Sequence, residues 1–131
     1  MKITLNGLEL NPNGEIPKNF SIETSRQIQT EYALSSGMAK VFDRGNVKTL
    51  AQFEIERSHA SEAQAQMFAL KHAAQVSEKS AGEIDFNVPG GMFSNRTIRF
   101  KSAFPSKIKI QIDGLVTNTL YEFVATSTEE I

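Results

Sequence analysis

His59 and His72 are the chain's two imidazoles, and no cysteine accompanies them. A metal centre or a general base would draw on these two side chains first. On a continuous helix their spacing amounts to a rotation of about 220°, so they point in widely different directions and need help from elsewhere to share a metal ion. No His-x-x-x-His pair and no Asp-x-Asp-x-Asn-Gly calcium loop occurs. His59 reads as a surface residue where a strand hands over to a helix, and His72 as a polar interruption on that helix.

Glu54 and Glu56 would lie on one face of a strand, about 7 Å apart. Acid–base work would require one of them in an apolar pocket with a raised pKa. Their parity opposes that of Phe53 and Ile55, which puts both carboxylates in solvent. No Gly-x-Ser-x-Gly elbow is present, and Gly90-Gly91 follows Pro89 without the Lys-Ser/Thr of a phosphate loop. Nothing in these patterns argues for an enzyme, a cofactor or a metal.

The clearest electrostatic feature is Arg96, Arg99, Lys101, Lys107 and Lys109, a basic run interleaved with Phe100 and Phe104 and free of acids. It has three readings: a nucleic-acid surface of phosphate contacts and aromatic stacking, the outward positions of two strands, or a patch that meets acids on another copy. Residues 61–90 carry Glu62, Glu78, Glu83 and Asp85 against Lys71 and Lys79, and complementary patches on one chain suit a head-to-tail ring.

These residues must be positioned by elements that the hydrophobic pattern makes legible. The chain has 131 residues, 40% of them hydrophobic and 22% charged, with 14 basic against 15 acidic side chains for a net charge of −1. That is one soluble domain, 1–131, able to bury a core without disulfides, and neither disordered nor fibrous. Met1-Lys2-Ile3-Thr4-Leu5 lacks the apolar stretch of a secretory signal, and no window is long and apolar enough to span a membrane.

Ile3 and Leu5 alternate up to Asn6-Gly7, after which Leu8 and Leu10 resume, a short hairpin. Asn11 to Pro17 is a loop. From Phe20, one parity carries Ile22, Thr24, Ile28, Thr30, Tyr32 and Leu34, so a strand of roughly 50 Å is expected. Ser35-Ser36-Gly37 turns it, and Met38 to Phe42 returns, giving a long hairpin over about 28–42. Asp43-Arg44-Gly45-Asn46 turns before a strand that ends near Ser58.

Ser61-Glu62-Ala63-Gln64 matches a capping box, and Ala, Gln, Met, Leu and Lys predict a helix over about 61–79. Two apolar stripes run along it, Ala63, Met67, Leu70 and Ala74 on one side, Ala65, Phe68, Ala69 and Val76 on the other. One sheet covers one stripe; the second calls for a loop of the same chain or a neighbouring subunit. Further strands are expected at 84–88, around Ile98 and Phe100, at Ile108 to Ile112, and from Leu115 to Ala125 beyond Asp113-Gly114. A polar tail follows from Thr126. The class is mainly β (α+β): an antiparallel β-sandwich or barrel with one helix packed on it.

This layout, with its hairpin of Ile28–Leu34 and Met38–Phe42, the Asp43-Arg44-Gly45-Asn46 turn and the Ala-rich helix behind Ser58, resembles the tail-tube-like fold of bacteriophage tail tube, distal tail and tail-terminator proteins. The resemblance implies a non-enzymatic structural subunit that forms or docks onto rings by joining sheets across subunits. It also implies a homo-oligomer or other tail proteins as partners, and a place in the virion tail after synthesis in the bacterial cytoplasm. The expected contact surface runs through Ile28, Tyr32, Leu34, Met38, Val41 and Phe42 of the hairpin and Phe68 and Val76 of the helix. The competing reading is a monomeric β-sandwich that binds nucleic acid or a protein through the 96–109 surface.

Overall fold

The computed structural model describes residues 1–32, 39–77, 82–90 and 96–130; of residues 27–32 and 39–46 it describes the backbone alone. The chain opens with β1 (Lys2–Leu5) and β2 (Leu8–Glu9). Leu5 pairs with Leu8 across Asn6-Gly7, whose φ values of 48° and 84° are the left-handed pair that a type I′ turn requires.

The long hairpin consists of β3 (Lys18–Tyr32) and β4 (Ala39–Ser58), paired from Lys18 with Glu54 to Tyr32 with Ala39. The turn expected at Asp43-Arg44-Gly45-Asn46 is absent. Arg26 faces Val47 and Ile28 faces Asp43, so Arg44, Gly45 and Asn46 stand opposite the single residue Gln27. These polar residues are taken up as a bulge inside one strand, which bends and twists it without ending it.

Helix α1 (Glu62–Ser77) starts where predicted. The Ser61 hydroxyl accepts the Gln64 amide at 3.2 Å, satisfying a donor that the helix leaves open. Four residues at helical spacing, Ala65, Ala69, His72 and Val76, form its buried face, and it packs on the strands that follow.

Those strands are β5 (Gly82–Val88), β6 (Arg96–Asp113), β7 (Val116–Ala125) and β8 (Ser127–Glu130). The two strands expected around Ile98 and Ile110 are one, β6, and the polar tail expected from Thr126 contains β8, pairing Ile98 to Lys101 with Glu130 to Ser127. Arg96 and Lys101 reach diagonally to Glu130 and Glu129 of the tail as ion pairs, so a polar segment still gains a strand partner.

All pairings are antiparallel, in the order β2-β1-β5-β6-β7-β4-β3 with β8 on β6. The first part of β6 pairs with β5 and β8, the second with β7. The change of partners falls at Ser102, with φ of 52°, and at a register shift between Pro105 and Lys107. A strand that switches sheets through such an irregularity makes the corner of a sandwich. The two halves face each other: Phe20 of β3 and Phe53 of β4 meet Phe86 of β5 edge-on, at ring distances of 5.5 and 6.0 Å. Around them Ile3, Leu5, Ile55, Ile84, Phe100, Tyr121 and Phe123 close the core. The architecture is the predicted mainly β sandwich with one helix.

Candidate functional site

Strand β4 sends Phe53, Ile55 and Arg57 to the same, inward side, so the alternation that buries two apolar residues also buries an arginine, only 7% exposed. Its guanidinium donates from Nη1 to Thr119 Oγ1 at 3.0 Å, and from Nη2 to the Tyr121 hydroxyl at 2.8 Å and to the Leu10 carbonyl. It thereby ties β4 and β7 to the first hairpin. Phe68 of α1 lies over the guanidinium, 4.8 Å from its carbon, a cation–π contact that partly replaces lost water.

His72 comes down from the same helix and its Nε2 meets the Tyr121 hydroxyl. Burial, then the charge of Arg57, lower its pKa from 6.5 to about 4, against a smaller opposing hydrogen bond to Gln75. Burial raises the Tyr121 pKa above 10, with Arg57 working against it. At neutral pH the ring is therefore uncharged, and the Tyr121 hydroxyl oxygen accepts from Arg57 while sharing a second hydrogen bond with Nε2. Both groups titrate far from neutrality, whereas a general acid–base residue is tuned towards it.

His59 stands beyond the end of β4, before α1, and its Nε2 is 2.9 Å from Thr117 Oγ1. The helical rotation assumed between the histidines does not apply, because α1 begins only at Glu62. Both rings instead pack on Phe68, at 5.0 Å for His59 and 4.8 Å for His72, and both line one cleft of about 360 Å³ between the first hairpin and α1. Among the described residues no three His, Asp or Glu side chains converge to hold a metal ion.

Glu54 and Glu56 face outward as read. Glu54 is held by Asn19 and Asn118, and Glu56 by Lys18 at 2.8 Å. Part of the basic surface is neutralised within the chain. Arg99 makes a two-pronged contact with Asp85 at 2.8 and 3.1 Å and lies 3.3 Å from Glu83; Arg96 pairs with Glu130 and Lys101 with Glu129, both at 2.8 Å. Glu83 and Asp85, read as acids for a neighbouring copy, thus serve the same subunit. Lys107 and Lys109 lie past the corner of β6, both exposed.

The helix face also differs from expectation. Val76 is fully buried in the core and Phe68 is half-buried against Arg57, while Met67 and Leu70 of the other stripe are 51% and 73% exposed. The stripe that carries Phe68 and Val76 is the inner one. Leu34 and Met38 fall outside the described residues, and Ile28, Tyr32, Val41 and Phe42 are described only as paired backbone of β3 and β4. At the far side of the sheet order β3 has one neighbour, β4, among the described residues, and Ile22 on it is 53% exposed.

No protein-family model matches the sequence, and no curated protein matches it. Among solved structures the chain superposes on the PVC sheath/tube terminator of an extracellular contractile injection system in its extended state. The TM-score is 0.58 at 10% identity, over 99% of this chain and 91% of that one. The fold is shared with a sheath/tube terminator. Hcp1 from Flavobacterium johnsoniae also aligns, with a TM-score of 0.46 and 15% identity over 98% of this chain and 92% of its own. The resemblance to the tail-tube-like group is thus a likeness of fold.

Proposed function

We propose that this chain, as a single domain, is a non-enzymatic structural subunit of a tail or contractile injection particle, where it forms a ring or docks onto one. The observation that carries the reading is the end-to-end match with the sheath/tube terminator fold, which leaves no substantial part of the chain outside the shared architecture. Two surface features support it. The outer edge of β3 offers backbone donors and acceptors to another strand, and Met67 and Leu70 give α1 a second apolar side.

In this reading β3, its hairpin with β4 and the outward side of α1 carry the contacts to a second copy or to another tail protein. Of the 96–109 basic surface, Lys107 and Lys109 make no ion pair among the described residues, and they lie on β6. The protein resides in the assembled particle, in a virion tail if the chain is phage-derived. Light scattering across a concentration series tests the reading: a mass that climbs from 14.5 kDa to a defined multiple is expected. A fixed monomer at every concentration that also fails to bind tube or sheath rings would overturn it.

A further inference from the structure

We propose that Asn13-Gly14, in the loop between β2 and β3, is a site of spontaneous deamidation, and that the identical pair Asn6-Gly7 is protected by the fold. The chemistry is set by the residue types. Once hydroxide takes the Gly14 amide proton, the nitrogen attacks Cγ of Asn13; a new C–N bond closes a five-membered imide, and the side-chain nitrogen leaves as ammonia. Water then opens the ring. Breaking the bond from nitrogen to Cγ leaves an aspartyl residue, and breaking the bond to the backbone carbonyl leaves an isoaspartyl link whose main chain is longer by one carbon. Ammonia is exchanged for water, and nothing is oxidised or reduced. A following glycine favours the attack because it has no Cβ to crowd the approach.

Residue type ranks the two pairs equally, and so do exposure and free space: all four residues are exposed, and nothing lies within 4 Å of where a Cβ would stand on Gly7 or Gly14. The asparagines differ. Asn6 Oδ1 accepts the Glu83 amide at 2.8 Å and its own amide donates to the Glu83 carbonyl at 3.0 Å, while Leu5 and Leu8 on either side are paired in the hairpin. To turn its Cγ onto the Gly7 nitrogen, Asn6 must give up its bond to β5. The Asn13 side chain makes no hydrogen bond among the described residues; only its backbone amide is held, by the Glu15 carboxylate at 3.1 Å. One bond stands in the way, donated by the Gly14 amide to the Asn11 carbonyl at 3.2 Å. It is a single contact in an exposed turn, which opens with little else to break. Asn11 itself is excluded, because Pro12 has no N–H to become a nucleophile.

Reaction at Asn13 changes its surroundings. Either product adds a carboxylate to the cleft that Glu9 and Glu15 already line. The isoaspartyl form also lengthens the chain between Asn11 and Glu15, where Asn11 Nδ2 donates to the Glu15 carbonyl at 3.0 Å and Oδ1 accepts the Ile3 amide at 3.0 Å. That tie between the loop and β1 is the contact it strains.

The test follows the native wild-type chain and the same chain in denaturant, both held at mildly alkaline pH and sampled over time. Cleavage after glutamate, at Glu9, separates Asn6 from Asn13, and mass spectrometry with fragmentation locates each gain of one mass unit. In the native chain Asn13 should convert at least roughly tenfold faster than Asn6, and in denaturant the two rates should draw level. Native Asn13 that stays intact while the denatured chain reacts, equal native rates, or a ratio that denaturant leaves unchanged overturns the proposal.

Discussion

Arg57 stands opposite Thr117 in the β4–β7 register, but its guanidinium bonds Thr119 and Tyr121, two and four residues further along β7. The side chain therefore lies along the inner surface of the sheet, under α1, and leaves Thr117 to His59. One arginine joins two strands, the helix and the first hairpin. Several stability effects should converge on it.

Tyr121→Phe keeps the ring stack with Phe53 but removes the oxygen shared by Arg57 and His72. Leaving buried polar partners unmade costs about 1–3 kcal/mol. Chemical denaturation should show a loss of that size with an unchanged m-value. A neutral outcome would mean that water replaces the hydroxyl.

Stability should fall on acidification, with His72 as a named contributor. Its pKa is about 4 in the folded chain against 6.5 when free, so below pH 6.5 the unfolded chain takes up a proton that the folded chain refuses. The contribution is intact above pH 6.5, declines towards pH 4, and amounts to no more than about 3 kcal/mol. Denaturation curves at pH 7 and pH 4.5 should differ more in the wild type than in His72→Gln. An equal pH effect in both would assign it to other groups.

Gly82→Ala should destabilise the start of β5. A Cβ there runs into the side chain of Asn6, which cannot easily swing aside because its Oδ1 accepts the Glu83 amide at 2.8 Å. A loss of about 1–3 kcal/mol is expected; Asn6→Ala is costly by itself, at its φ of 48° and with the bond to Glu83 lost, but in its background Gly82→Ala should cost less. A thermal melt of the single and double variants checks both.

Met67→Glu with Leu70→Glu should leave the fold unchanged and weaken assembly. Both side chains are exposed, so the monomer's melting point should move by no more than a few degrees while the larger species disappears from light scattering. Phe68→Glu should instead unfold the chain or lower its stability sharply, since Phe68 covers Arg57.

The strands and the helix were legible because their alternation and capping are local. Ser61 and Gln64 mark a helix start, and Asn6-Gly7 a turn, without help from distant residues. The bulge at Arg44 to Asn46 and strand β8 were not legible, because each depends on what stands across from it: Gln27 for one, Ile98 to Lys101 for the other. The site was half visible. Arg57 shares the parity of Phe53 and Ile55, which signals an arginine turned inward, and His72 shares the spacing of Ala65, Ala69 and Val76. What joins them is Tyr121, far away in sequence. Assigning Phe68 and Val76 to a contact surface failed for a related reason: with two apolar stripes on one helix, only the position of the sheet decides which faces inward.

The central claim is that the chain works as a ring-forming or ring-docking subunit through β3 and the outer side of α1. Electron microscopy of the purified wild-type chain, alone and mixed with tube or sheath rings, beside Ile22→Glu on the β3 edge, tests it most directly. Rings or decorated ring ends with the wild type, absent with Ile22→Glu while that variant keeps its fold, are the predicted result. Isolated small particles in every wild-type sample, or identical rings from both chains, would contradict the account.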